Sequence, residues 1–295
     1  MPWARILILW GGLTGCTWTF DRPEPAEPSQ APYSFVVAGH VYGKPGAPVD
    51  QGVHPPFREA LPAMRETEGM DFMMLTGDVV QVSRPETWNS FWQSLVDWDL
   101  PVYIAPGNHD LSSRALYEEQ AGDTYYAFMH NRDLHIVLEP FGSQWNIEGE
   151  QLAFFMQTLD SLGPAARHIF IYTHQVIWWE PDNRYGQHLI LNSTAGRGDR
   201  LNFWPVIFPR LLRLEQPVYW FAGDVGAIRG NKRLAVFVAD EGGIQLIGSG
   251  MGNEREDNAL IVSVGKDGAV DIRLWALQGN DPDAMGVLAE YELPE

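Results

Sequence analysis

Hydrophobic and polar positions follow two periods along the chain. Residues 34–38, 72–75, 102–105, 169–172 and 218–221 are short, unbroken apolar runs, the pattern of strands buried on both faces. Between them the apolar positions recur at helical intervals. Phe57, Leu61 and Met64 share one face of a helix over residues 55–68, and Trp88, Phe91, Trp92, Leu95 and Trp98 share one over 86–98. Leu152, Phe155, Met156, Leu159 and Leu162 do the same over 148–162, and a further helix is expected over 205–214. Residues 124–129 and 134–138 flank Asn131-Arg132-Asp133 as a hairpin. From residue 234 the helical period disappears. Runs at 234–238, 244–247, 260–264 and 270–274 read as short strands, with Lys266-Asp267-Gly268 as a hairpin turn. Residues 175–202 have weak periodicity and carry Trp178, Trp179, Glu180, Asp182, Arg184 and His188. They are expected to form a long loop of the kind that often carries function.

The residues that stop the apolar runs carry the chemistry. The first run ends at His40, the second at Asp78, the third at Asn108, the fourth at His174 and the fifth at Asp224. All but His174 directly follow a glycine. One polar residue after a strand is an ordinary turn. Five metal-capable ones are expected to converge, because the carboxyl ends of central strands share the sheet edge where α/β proteins bind ligands. Carboxylate, amide oxygen and imidazole together suit manganese, iron or zinc and disfavour copper(I), which wants sulfur. The third run continues as Gly107-Asn108-His109-Asp110. There Asn108 offers a neutral oxygen, His109 a mobile proton, and Asp110 a carboxylate able to orient that imidazole.

Composition narrows the function classes. At 295 residues the chain buries a sizeable core, and twelve tryptophans point to an aromatic interior or an apolar cleft. A net charge of -18 gives no general attraction for nucleic acid or anionic lipid. A phosphorylated substrate would need local positive charge, which bound metal supplies. The one cysteine, Cys16, excludes an intrachain disulfide. It follows a short apolar segment and Leu13-Thr14-Gly15, which resembles a bacterial lipoprotein signal. The organisation expected is a signal segment over residues 1–15, a Pro-rich tether over 16–32 and a folded domain over 33–295. The resemblance implies a lipid anchor on Cys16 as the membrane contact. Thr17 is not the usual Asp retention signal, so the expected location is the bacterial envelope, at the periplasmic face of the outer membrane.

The order of strand-end motifs resembles the calcineurin-like metallophosphoesterases. That family carries Asp-x-His, then Gly-Asp, Gly-Asn-His-Asp/Glu, a lone His, and Gly-His-x-His. Gly77-Asp78, Gly107-Asn108-His109-Asp110 and His174 match. The first motif reads His40-Val41-Tyr42, and the last reads Gly223-Asp224-Val225-Gly226. The resemblance implies an α/β fold, a four-layer sandwich of two mixed β-sheets flanked by helices. It implies one transition metal held by Asp78, Asn108, His174 and Asp224. A second would be left with Asp78, His40 and Tyr42, and with nothing at Gly226. Glu180, Asp182 or His188 are the loop candidates to fill that gap. The implied chemistry is hydrolysis of a small phosphorylated substrate by metal-activated hydroxide. In it His109 protonates the leaving oxygen and Asp110 holds its ring. Two alternatives stay open: an envelope binding or scaffold protein with impaired chemistry, and a one-metal hydrolase of another ester with Trp178 and Trp179 as substrate wall.

Overall fold

The computed structural model describes residues 31–279 and 281–295. The signal segment, Cys16 and all of the tether before Ala31 lie outside the described residues. Among the described residues, eleven strands form two mixed sheets. The first holds β1 (Tyr33–Ala38), β2 (Met70–Leu75), β3 (Val102–Ile104), β10 (Asn258–Val264) and β11 (Val270–Ala276), in the order β11-β10-β1-β2-β3. The second holds β4 (Tyr126–His130), β5 (Asp133–Val137), β6 (Ile169–Thr173), β7 (Val218–Ala222), β8 (Val236–Glu241) and β9 (Ile244–Ser249), in the order β4-β5-β6-β7-β9-β8. β1, β2 and β3 run parallel, as do β5, β6, β7 and β9, and the remaining pairings are antiparallel. Parallel neighbours end on the same edge, which brings the five strand-end residues to one end of the sandwich.

The unbroken apolar runs have the burial they imply. Alternate residues of a strand face opposite sides. Phe35 and Val37 of β1 pack between the sheets with Phe72, Met74, Phe170, Tyr172 and Phe221. Val36 and Ala38 face the other way, onto α1 (Pro55–Arg65) and α2 (Pro85–Ser94), against Phe57, Leu61, Trp88 and Phe91. The outer face of the second sheet packs Ile136, Ile171 and Trp220 against Phe155 and Leu159 of α4 (Gly149–Ser161). The result is four layers, with helices outside both sheets. Among the described residues no helix is long and apolar enough to cross a membrane.

Three local features add to or modify what the pattern predicts. The chain after Asp110 forms a 3-10 turn and then α3 (Arg114–Ala121), which the apolar spacing does not announce. Residues 205–214 are a π-helical turn, Phe203–Ile207, followed by the short α6 (Phe208–Leu211). Residues 175–202 are largely irregular, as expected, but parts of them pack into the core. They contain α5 (Arg184–His188), capped by the Asn183 side chain, which accepts from the N–H groups of Tyr185 and Gly186. Trp178, Tyr185, Leu189 and Leu191 from this stretch lie in the core. Trp178 is therefore core, not substrate wall, while Trp179 is half-buried with the Arg197 guanidinium 5.7 Å from its ring.

Candidate metal centre

Both sheets contribute to the site. β1, β2 and β3 deliver His40, Asp78 and Asn108 on the turns that end them, and β6 and β7 deliver His174 and Asp224. The expected single sheet edge is thus an edge shared by two facing sheets. The turns touch one another. A Cβ on Gly223 would overlap the Thr76 carbonyl, and one on Gly107 would overlap the Asp78 carboxylate. Those glycines precede polar residues because a side chain would force the turns apart. His40 and Asp78 hold φ at 55° and 51°, a left-handed conformation uncommon for residues other than glycine. Backbone bonds fix it: His40 N–H donates to the Gly77 carbonyl at 3.0 Å, and Tyr42 N–H to the Asp78 carbonyl at 3.1 Å.

The side chains meet in a buried cluster. His40, Asp78, His174 and Asp224 are 3%, 2%, 0% and 2% exposed. Oδ2 of Asp78 lies 3.2 Å from Nε2 of His174 and 3.5 Å from Nε2 of His40. Oδ1 of Asp224 lies 3.9 Å from the same nitrogen of His174. Nδ1–H of His174 donates to the Thr76 carbonyl at 2.8 Å, which turns the lone pair of Nε2 toward the carboxylates. Asn108 is half-buried between Gly107, which abuts Asp78, and His109, whose N–H donates to Oδ1 of Asp78 at 3.1 Å.

The charges favour a cation. Burial would raise the Asp78 carboxyl, but the charge and hydrogen bond of His174 outweigh it and hold the group ionised. Burial would lower His174, but Asp78 and then Asp224 raise it well above the ordinary imidazole range. Positive charge at Nε2 of His174 is therefore stabilised, whether a proton or a metal carries it. Burial, with the charge of Asp78, pushes Asp224 up to about 6 against the pull of His174. Burial takes His40 down to about 4 despite Asp78, so it is neutral at pH 7 and has a free lone pair.

The donor set fits a transition metal. Bonds of about 2.0–2.2 Å place neighbouring ligand atoms roughly 3.0–3.6 Å apart, so the Asp78–His174 and Asp78–His40 separations are those of a coordination shell, and Asp224 stands slightly outside it. Among the described residues no three His, Cys, Asp or Glu side chains form a ready-made cage. The donors are instead linked in pairs through Asp78 and His174. Several buried polar atoms on and beside these strand ends are unmet. His40 Nδ1, Thr76 Oγ1, His174 Nε2, both amide atoms of Gln175, Asn192 Nδ2 and Asp224 Oδ2 are buried without a hydrogen-bond partner among the described residues. Buried polar atoms are rarely left so, and a cluster of them marks a place for an ion or ligand.

His109 and Asp110 separate. The 3-10 turn from Asp110 to Ser113 sends the two side chains apart. Nδ1 of His109 is held at 2.6 Å by the Gln81 carbonyl, which leaves Nε2 free on a half-buried ring. Asp110 is fully buried and does not hold that ring. Its Oδ1 accepts from Val79 N–H at 2.8 Å and Val80 N–H at 3.0 Å, and its Oδ2 from Gly107 N–H at 2.8 Å. It ties the Asp78 turn to the Asn108 turn. The expected orienting role is corrected to a structural one.

From residues 175–202 it is Asn192 that bonds to the Asp224 turn, where Glu180, Asp182 or His188 were the candidates. Its N–H donates to the Asp224 carbonyl at 3.4 Å, and its Oδ1 accepts from Ala227 N–H at 2.9 Å. The second contact fixes the amide so that Nδ2 faces the Asp224 carboxylate and eases its ionisation, without closing a full hydrogen bond. Nothing in the local sequence marks Asn192. Tyr42, at the position of the family's second motif residue, lies with its ring centroid 4.4 Å from that of His40 and 5.1 Å from that of His109.

A family model described as calcineurin-like phosphoesterase matches residues 50–226. No curated protein is significantly similar to the chain. Solved structures share the fold at low identity. One is a dimetal phosphatase from Danio rerio, at 11% identity and a TM-score of 0.55, covering 83% of this chain and 99% of that one. Another is the purple acid phosphatase PPD1 from yellow lupin (Lupinus luteus) seeds, at 13% identity and a TM-score of 0.56. That match covers 86% of this chain and 53% of the lupin enzyme. With more than half its length matched by the family model, and with this sandwich and these strand-end motifs, the chain belongs to the calcineurin-like phosphoesterase family.

Proposed function

We propose that the chain is a metal-dependent hydrolase of phosphate esters, with Asp78, Asn108, His174 and Asp224 as the core metal ligands, His40 beside them, and His109 as general acid. The observation that carries this reading is the group of unmet polar atoms on buried strand ends around the Asp78–His174 pair. A divalent transition metal held there supplies a Lewis acid and a water acidic enough to ionise near neutral pH. The chain's own groups do the rest. Asp78 and Asp224 balance the metal's charge. The Gln81 carbonyl fixes the His109 ring, so that Nε2 is the nitrogen able to carry a proton to the departing oxygen. Asp110 keeps the two turns at one spacing, so ligands and acid move as a unit.

The substrate is a small phosphorylated molecule. The lipid anchor on Cys16 would hold the domain at a bacterial envelope membrane. The alternative, a binding or scaffold protein, draws on one feature, the absence of imidazoles at Tyr42 and Gly226. The two readings part on one experiment. Chain purified without chelator is assayed on phosphomonoester and phosphodiester substrates with manganese, iron or zinc, then after chelation. Turnover that chelation abolishes and metal restores is expected. Lack of turnover with every metal would favour the scaffold.

A further inference from the structure

We infer that the centre takes a single divalent cation, and that the fold itself closes the place of a second. This rests on the metal-dependent reading above. Its starting point is the small number of donors around Asp78. Oδ2 of Asp78 lies 3.2 Å from Nε2 of His174, which has Oδ1 of Asp224 at 3.9 Å. His40, 3.5 Å from the same oxygen, is what the strand ends offer toward a second cation, and the space beside its ring holds the Tyr42 ring. That ring sits 4.4 Å from the His40 ring and 5.1 Å from the His109 ring, centroid to centroid, and Tyr42 is buried. A transition metal wants at least four ligands, so a cation there would be held by far too few protein donors.

Gly226 shows that the missing donor is built into the backbone. Its φ is +79°, a conformation side chains rarely adopt. A Cβ there would lie 2.9 Å from both the carbonyl carbon and oxygen of Gly250 and 3.0 Å from Cβ of Ala235. The contacts that hold this segment do not yield easily. Ala227 N–H is bonded to Asn192 at 2.9 Å, and Gly250 N–H to the Ala235 carbonyl at 2.9 Å.

The test is the stoichiometry of the full chain. Protein stripped of metal is titrated calorimetrically with Mn2+, and the loaded protein is examined by elemental analysis and electron paramagnetic resonance. One Mn2+ per chain, with the spectrum of isolated ions, is expected. Two per chain, or the signal of an exchange-coupled pair, would overturn the single-cation inference and leave the hydrolase reading standing. No bound Mn2+, Fe2+ or Zn2+ would overturn both. Tyr42→His offers a second check, because it adds a donor while Gly226 still supplies none. It is expected to stay at one cation per chain, and a rise to two would contradict the role given to Gly226.

Discussion

Asp110 separates a structural account of the GNHD turn from a catalytic one. Its carboxylate is fully buried and accepts three backbone N–H groups at 2.8, 3.0 and 2.8 Å. Asp110→Ala leaves all three donors buried and unmet. Each such group costs roughly 1–3 kcal/mol, so three cost on the order of 3–6 kcal/mol after partial relaxation. That is a large share of the roughly 5–15 kcal/mol that holds a folded domain together. With a denaturant slope of about 3 kcal/mol per molar, the urea midpoint falls by about 1–2 M. Asp110→Asn keeps a carbonyl for Val79 and Val80 but sets an NH2 against Gly107 N–H, so its midpoint falls by less. The assay is urea unfolding of the metal-free chain followed by tryptophan fluorescence. A midpoint for Asp110→Ala equal to that of the parent, with turnover lost, would restore Asp110 to the role of ring-orienting group.

Three further outcomes are expected. His135 is fully buried between the sheets, and burial lowers its pKa to about 3 from an ordinary 6.5. A base depressed this way gives its full stability above pH 6.5 and loses it as pH falls toward 3, at about 1.4 kcal/mol per pH unit. The stability advantage of the parent over His135→Gln should therefore shrink by about 3 kcal/mol between pH 6 and 4 in urea titrations, and a constant gap would refute the assignment. Asn192→Ala should weaken Mn2+ binding roughly tenfold in calorimetry while the circular dichroism spectrum is unchanged, since outer groups that steer a ligand carry effects of that order. Unaltered affinity would remove Asn192 from the centre. His109→Ala should cut turnover by about 10²–10⁴-fold at constant metal content, and unchanged turnover would remove His109 from the chemistry.

Much of the fold was legible because buried central strands are bounded by glycine. The five apolar runs lie within β1, β2, β3, β6 and β7 or overrun them by a residue, and each fixed one strand-end donor. The hairpin turn was readable too, with φ of 44° and 71° at Asn131 and Arg132. Helix α3 was not, since Tyr117 is its one fully buried residue and leaves no apolar period to see. Trp178, Tyr185 and Leu191 are core, but a capped single turn and irregular chain set their spacing, so no period in the loop marked them. Within the site, residue type located the ligands, whereas roles depended on direction. Asp110 follows His109 in sequence and bonds elsewhere. Asn192 meets Asp224 through a contact between distant segments, which local pattern does not encode. Gly226 was visible as a missing donor, but its left-handed backbone was not.

The most direct test of the central claim is phosphoester hydrolysis by the metal-loaded chain beside its Asp78→Asn variant, with metal content measured on both. Asp78 stands between His174 and His40 and accepts from His109 N–H. Hydrolysis by the parent, with both metal and turnover lost in the variant, is the predicted result. Turnover that survives Asp78→Asn undiminished would contradict it.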